Sequence, residues 1–247
     1  MRLSASDAAR RIATVLLLVS FLVGCSTIDR ILGRGMDETD PEEIMAEGLE
    51  RLESGRYSEA VKAFEKIRDR YPYSKFAITA ELKLADALYR TGEYEQAFEA
   101  YDQFERLHPR NKEIPYVIYQ KGMCHFDQIT TTDRDQFQTQ KARAEFERLI
   151  TRFPREDYAN LARKNLRKCY LYLAEYEIYV GHYYFKRGHY RAALARYTYV
   201  IENYPDMGQY HVALEYISRC KERLAAEEPG TQETKADKPK AWWRFGS

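Results

Sequence analysis

The histidines are the side chains most able to bind a metal ion or to transfer a proton, and their spacing argues against both roles. No two of them lie two or four residues apart, the separations that bring two imidazoles to one ion from a strand or a helix. No cysteine cluster, phosphate-binding glycine loop or nucleophile motif accompanies them. The sequence therefore predicts no enzymatic activity and no metal site at His108, His125, His182, His189 or His211.

Cys25 is the residue whose surroundings predict a covalent modification. Arginines precede an uncharged apolar run, residues 12–23, which is shorter than the about 20 residues that a membrane-spanning helix needs. The run is typical of a secretory signal, and Leu22-Val23-Gly24-Cys25 looks like a lipobox. We expect residues 1–24 to be removed and Cys25 to carry a diacylglycerol and an N-acyl chain such as palmitate, with no other cofactor. The alternative is an ordinary cleaved signal with an incidental cysteine.

The charge of the chain offers no footprint for nucleic acid. Removal of residues 1–24 takes away three basic residues and one acidic residue, which leaves 36 basic and 37 acidic residues. No block of like charge stands out, so we expect no nucleic-acid partner. Three further cysteines, Cys124, Cys169 and Cys220, are spread over separate segments. We interpret them as small buried residues rather than as a disulfide framework.

A repeated pattern of small, aromatic and proline residues defines the fold class. An alanine lies four residues before an aromatic residue, and the aromatic residue lies eight before a proline. Glycine and tyrosine precede the alanine in three of the four copies. This pattern predicts an all-α tetratricopeptide-repeat solenoid of about four helix pairs plus a terminal helix. The copies are Ala60-Phe64-Pro72, Ala97-Tyr101-Pro109, Ala142-Phe146-Pro154 and Ala193-Tyr197-Pro205.

The same pattern sets the expected helices. Asp40 and Pro41 indicate a helix start, and each unit is expected to end at the residue before its proline. Small residues 12 positions before the repeat alanine, such as Gly48 and Gly181, are expected to face that alanine across a helix pair. The repeat aromatic residues are expected to fill the space between pairs. The predicted helices span 41–54, 57–70, 74–90, 94–107 and about 207–226, and residues 157–187 form one helix or two.

The chain divides into six segments. Residues 1–24 are the signal peptide, 25–39 a lipid-anchored tether, 40–110 an N-terminal pair of repeats and 111–155 a repeat with an inserted turn. Residues 156–227 form a C-terminal repeat with a capping helix. Residues 228–247, which end in Trp242, Trp243, Arg244 and Phe245, have a composition that predicts a disordered tail. Its tip could contact a membrane interface or a partner's pocket, or have no function.

Several segments carry a more specific resemblance than the repeats do. They are Arg70-Tyr71-Pro72-Tyr73-Ser74, Ile114-Pro115-Tyr116-Val117-Ile118-Tyr119 with Gly122, Asp133-Arg134-Asp135, and Leu173-Ala174-Glu175-Tyr176-Glu177 leading to Arg187-Gly188. With the lipobox, they resemble the BamD family, the repeat-containing lipoproteins of the outer-membrane β-barrel assembly machinery. The chain departs from the family in a shorter C-terminal end and in the Trp-rich tail.

The resemblance implies a scaffold anchored to the outer membrane by Cys25 and facing the periplasm. Its C-terminal repeats would bind a POTRA domain of the BamA insertase, alongside other subunits of the Bam complex, and Arg196 matches an arginine of the family at that contact. Its N-terminal repeats would offer a groove to unfolded β-barrel precursors, and Tyr71, Tyr73 and Phe76 lie near the first turn between repeats. Core packing is the alternative role of these three rings, and an exposed structural role is the alternative for Arg196.

Two other functions stay open from the sequence. The chain could be a different periplasmic repeat lipoprotein that acts in cell-wall or envelope organisation, although such proteins usually carry an added coiled coil or wall-binding domain. It could also pilot the assembly of a secretin. Crosslinking in cells would separate a barrel insertase, a wall synthase and a secretin as the main partner.

Overall fold

The chain forms nine helices in the part that the structure, a computed structural model, describes, namely residues 40–131 and 135–227. They make four consecutive pairs and a last single helix, with no β-strand among these residues, which confirms the predicted all-α repeat solenoid. The helices are α1 Pro41–Glu53, α2 Tyr57–Arg70, α3 Ala77–Thr91, α4 Tyr94–Leu107, α5 Ile114–Phe126, α6 Phe137–Arg152, α7 Asp157–Lys186, α8 Tyr190–Asn203 and α9 Tyr210–Glu227.

The first helix begins where the sequence predicts. The Asp40 carboxylate accepts a hydrogen bond of 2.9 Å from the Glu42 N–H, and Pro41 occupies the first turn, where no N–H is needed. Within the pairs, tight turns follow α1, α3 and α7. Each contains a glycine at positive φ, for example Gly92 at +84°, which L side chains rarely adopt.

Helix ends between units lie at the residue before each repeat proline, as expected. Tyr71, His108, Phe153 and Tyr204 each cap a helix by donating their backbone N–H to the carbonyl four residues earlier. Helix α3 begins at Ala77 rather than at residue 74. Two consecutive turns, Ser74 N–H to Tyr71 O at 3.0 Å and Ala77 N–H to Ser74 O at 3.1 Å, occupy the intervening residues.

Glycines on the first helices contact an aromatic ring of the second helix of the same pair. A Cβ at Gly48 would lie 2.7 Å from the Phe64 ring, one at Gly181 would lie 2.7 Å from the Tyr197 ring, and one at Gly122 would lie 2.5 Å from the Phe146 ring. The nearest side chain to each of these glycines is thus the repeat ring, which fills the space beside it. The rings, expected between pairs, reach into their own pair.

Helix α7 settles the question left open for residues 157–187, because it is one continuous helix of 30 residues, about 45 Å long. It joins two apolar cores. One extends from Ile44 on α1 to Cys169 on α7, and the other begins at Leu173 on α7 and ends at Cys220 on α9. Successive helices contact each other along the chain, and α5 also contacts α7.

Candidate protein-binding surfaces

The first helices of the units, together with Tyr57 of α2 and Phe104 of α4, line a groove with two cavities, which we call the N-terminal groove. One cavity, of about 350 Å³, lies between α1, α3 and α5 and includes Leu52, Tyr57 and Arg90 in its walls. The other, of about 540 Å³, lies between α3, α5 and α7 and includes Ile78. Tyr116 on α5 lines both cavities. Both volumes fall in the range of about 300–1,000 Å³ that is typical of ligand pockets.

Asp86 fixes Tyr116 at the centre of this groove and links it to the buried Tyr101. Its carboxylate is buried and accepts hydrogen bonds from the Tyr101 hydroxyl at 2.8 Å and from the Tyr116 hydroxyl at 2.6 Å. Lys83 donates to the other carboxylate oxygen at 2.8 Å. Burial, followed by the Asp86 carboxylate, raises the pKa of both tyrosines, so their hydroxyls stay protonated as donors at neutral pH.

A row of rings continues from this point across the groove. The Tyr116 ring lies 5.3 Å from the ring of Tyr158 on α7, between centroids, and Tyr158 lies 5.7 Å from Tyr119. Tyr119 then contacts the repeat ring Phe146 at 6.0 Å. These contacts hold α5 against α7, so the walls of the larger cavity are preorganised for binding.

The three residues expected at the groove occupy different environments. Tyr71 and Phe76 are partly buried against the core, whereas Tyr73 is fully exposed. None of them lines either cavity; Ile78, two residues after Phe76, does, and it is 46% exposed. Tyr57, Tyr116 and Tyr158 were not identified from the sequence. Tyr116 and Tyr158 are tyrosines outside the repeated positions, whereas Tyr57 is the tyrosine of the first repeat copy.

Arg196 is paired across the fourth helix pair. Its Nη1 donates to Glu177 Oε2 on α7 at 2.9 Å, and this hydrogen bond raises the pKa of Arg196. The arginine side chain is 43% exposed and the glutamate side chain 11%. The other N–H groups of Arg196 have no hydrogen-bond partner within the described residues. A half-exposed guanidinium held by a buried carboxylate can still bind a partner's acceptor.

A second groove, which we call the C-terminal groove, lies between α7 and the start of α9. Its cavity of about 600 Å³ is lined by apolar and aromatic side chains, including Ile178, Tyr179, Met207 and Val212. Tyr179 is half exposed there. His182 also lines it, and a hydrogen bond of 2.7 Å joins its Nδ1 to the Tyr197 hydroxyl. This arrangement suits an apolar protein partner.

The three cysteines in the described part of the chain are the other side chains that could be reactive. Cys124, Cys169 and Cys220 are buried and free, and burial raises the pKa of Cys124 and Cys169 to about 12.

Residues 40–131 and 135–227 contain no cluster of three potential metal ligands. In those same ranges, no helix combines the length and apolarity that crossing a membrane requires. Cys25 and the Trp-rich tail lie outside the described residues.

Comparison with known proteins gives one family. Residues 37–236 match the family model YfiO, outer membrane lipoprotein. The chain is 31% identical over 204 residues to the outer membrane protein assembly factor BamD of Caulobacter vibrioides, across 83% of this chain and 67% of that protein. It is also 31% identical over 230 residues to BamD of Neisseria meningitidis serogroup B, across 83% and 86%.

Solved structures give weaker likenesses. The chain is 16% identical to a tetratricopeptide repeat protein from Parabacteroides merdae, with a TM-score of 0.43 and 89% of each chain covered. It is 18% identical to the TPR2AB domain of yeast Sti1 in its pHSP90 complex, with a TM-score of 0.41 and 75% and 71% covered. The sequence relatives and the family model, which spans most of the chain, decide the assignment: the protein belongs to the YfiO/BamD family of outer membrane lipoproteins.

Proposed function

We propose that this protein is an outer membrane protein assembly factor that acts as a scaffold and not as an enzyme. In this proposal the lipidated Cys25 holds it to the outer membrane on the periplasmic side. The C-terminal repeats bind the BamA insertase, and the N-terminal groove binds unfolded β-barrel precursors. The observation that carries the proposal is the groove itself, two cavities lined mainly by the first helices of a chain whose relatives are named assembly factors.

The groove has the features that an extended, aromatic-rich peptide requires. Its cavities offer ring edges from Tyr57, Tyr116 and Tyr158, together with polar groups at Lys83 and Arg90. The Arg90 guanidinium donates to the Tyr57 hydroxyl at 2.7 Å and also lies over the Tyr57 ring. Alternating pockets and fixed polar groups allow a repeat surface to hold a chain without a folded partner. Tyr73, exposed beside the first inter-repeat turn, can extend this contact.

A photoreactive amino acid in place of Ile78 tests the groove. Ile78 is exposed and lines the larger cavity, so we expect crosslinks to unfolded β-barrel precursors in cells. Phe137 on α6 is similarly exposed and lines neither cavity of the N-terminal groove, so it is the matched control. Equal crosslinking at both positions, or a wall synthase or secretin as the main product, would contradict the proposal.

Arg196 tests the insertase contact. We expect Arg196→Glu to weaken co-purification of BamA by about 1 kcal/mol or more if the contact is desolvated, because the substitution removes the cation and places a second carboxylate beside Glu177. Arg167→Glu, a reversal at an exposed arginine of α7, is the control. Thermal unfolding of each variant separates binding from stability. If the recovery of BamA with Arg196→Glu is unchanged, Arg196 does not bind BamA and has only its hydrogen bond to Glu177.

Cys25→Ala tests the anchor. Without the thiol no diacylglycerol can attach, so incorporation of radiolabelled palmitate and sedimentation with outer membranes should both be lost. Replacement of the buried Cys124 by Ala is the control, because that thiol is inaccessible. Palmitate incorporation that persists in Cys25→Ala would refute lipidation at this residue.

A further inference from the structure

The last turn of α9 and the turn that joins α7 to α8 form a pocket of about 530 Å³, which we call the exit pocket. Its lining includes Tyr184, His189, Tyr190, Arg191, Leu224 and Glu227. Leu224 and Glu227 belong to the final turn of α9. The chain therefore leaves the described part of the structure at the rim of this pocket.

The walls of the exit pocket are aromatic and its rim is charged. Tyr184 contacts His189 with 6.4 Å between ring centroids, and Tyr190 contacts Phe185 at 5.3 Å, both edge to face. Arg191 and Glu227 at the rim are exposed and form no ion pair or hydrogen bond through their side chains within the described residues. Such a pocket suits a segment with aromatic side chains and at least one charge.

In the described part of the chain, no helix follows α9. Helices α1 to α8 each pack against the next helix, whereas α9 contacts only α8 strongly. Terminal units of a repeat array need a covering element because their outer face has no neighbouring repeat. Residues 241–245, Ala-Trp-Trp-Arg-Phe, follow 14 positions after Glu227 and combine three aromatic residues with one cation.

We propose that residues 241–245 dock into the exit pocket of the same molecule, with an indole against Tyr184 and Tyr190 and with Arg244 beside Glu227. Residues 228–240 can span at most about 45 Å, which is ample for a return to the rim. A connection of this length closes at a small entropic cost and gives the segment an effective concentration of about millimolar. The docked segment thus covers the last turn of α9.

Tryptophan fluorescence tests this directly, because Trp242 and Trp243 are the only tryptophans of the chain. The full chain is measured in detergent, and a peptide of residues 238–247 in the same detergent is the reference. Docking predicts emission at shorter wavelength and weaker quenching by acrylamide for the chain than for the peptide. Both differences should be independent of protein concentration.

Variants of the exit pocket show whether docking or another cause produces the shift in tryptophan emission. Leu224→Glu should move the emission to that of the peptide, whereas Leu214→Glu, at an exposed leucine near the start of α9, should not. Glu227→Lys should lower the docking equilibrium constant by up to about five-fold, the range of an exposed ion pair, and Arg244→Glu should restore it. Circular dichroism confirms that each variant is folded.

Three results would overturn the proposal. One is identical emission from chain and peptide, with no response to the pocket variants. The second is a shift that appears only when phospholipid vesicles are added, which would assign the segment to the membrane interface. The third is a shift that grows with protein concentration, which would assign it to a second copy of the chain.

Discussion

A ring of the second helix occupies the space that a Cβ would fill at Gly48, Gly122 and Gly181. Glycine is normally destabilising inside a helix by roughly 0.5–1 kcal/mol relative to alanine. Its presence at these positions therefore reflects packing and not helix propensity. The close approach allows Phe64, Phe146 and Tyr197 to be completely buried within their own pairs.

Gly181→Ala should destabilise the protein, against the general trend for helical glycines. The new Cβ would lie 2.7 Å from the Tyr197 ring, and overpacking of this kind costs about 1–3 kcal/mol. The measurement is the free energy of unfolding in urea. Ala195→Gly, at an exposed alanine of α8, is the control and should cost only the propensity difference. A more stable Gly181→Ala would contradict the packing argument.

Lys121 is a second residue whose role depends on burial. Its side chain is 4% exposed, and its Nζ lies 2.6 Å from Asp102 Oδ1 and 3.3 Å from Glu105 Oε2. Arg148 also binds Glu105, through hydrogen bonds of 2.7 and 2.9 Å. Burial alone would raise the pKa of Glu105, but Arg148 and Lys121 outweigh it, and the pKa is lowered. This charge cluster joins α4, α5 and α6.

Lys121→Ala should destabilise the protein by about 1–3 kcal/mol, because it removes the buried cation that Asp102 and Glu105 share, although Glu105 keeps Arg148 as a partner. Lys164→Ala, at an exposed lysine of α7, should change the free energy of unfolding by less than about 0.5 kcal/mol.

Because the folded pKa of Glu105 is lowered, its contribution to stability is present above the ordinary carboxyl pKa and is lost as the pH falls through the lowered value. The measurement is urea unfolding at neutral and acidic pH. A variant as stable as the wild type would contradict a stabilising role for the cluster.

Helix α7 connects the two apolar cores, because it contributes residues to both. Cys169 belongs to the core of the N-terminal units and Leu173 to the core of the C-terminal unit. Residues 170–172 between them lie within the unbroken helix. Tyr170 adds a side-chain link between the cores, because its hydroxyl donates to Glu147 on α6 at 2.7 Å and its ring lies 6.4 Å from that of Tyr204.

Leu171→Pro should uncouple the two cores. Proline removes a helical hydrogen bond and clashes with the preceding turn, at a cost of about 3 kcal/mol or more. We expect urea unfolding followed by circular dichroism to change from one transition to two. Leu171→Ala, which removes the same side chain and keeps the helix, should retain a single transition. Two transitions in both variants would show that the cores unfold independently even with α7 intact.

At the scale of the whole molecule, the cores are rich in tyrosine. Burial is the first cause that raises the pKa of Tyr170 and Tyr204 to about 12, and it also raises the pKa of Tyr89, Tyr101 and Tyr197. A raised pKa means that the folded state favours the protonated hydroxyl. The corresponding stability is complete below the ordinary tyrosine pKa of about 10 and is lost as the pH rises towards the folded value.

The protein should therefore lose stability between about pH 10 and pH 12. Absorbance at 295 nm reports tyrosinate, and circular dichroism at 222 nm reports the helices. We expect the buried tyrosines to ionise only as helical signal is lost. Full ionisation near pH 10 with the helices intact would contradict burial of the hydroxyl groups.

The binding surfaces show where prediction from the sequence reaches its limit. Arg196 could be proposed from a resemblance, but its partner Glu177 lies 19 positions away on another helix. Tyr116 and Tyr158 are 42 positions apart and meet only because α5 contacts α7. Tyr71 and Phe76 lie against the core, which is the alternative that the sequence left open for them. A local sequence pattern does not show which residues of different units come into contact.

The amino-acid sequence alone determined the repeat architecture, because glycine turns, helix caps and residues before proline act over a few positions. It also specified which side chains are small, aromatic or charged. Tertiary structure decided that a repeat ring lies nearest to Gly48, Gly122 and Gly181, that α7 is continuous, and that tyrosines of different units share one groove. These outcomes depend on how closely helices approach one another, and that distance is set by the packing of all neighbouring side chains together.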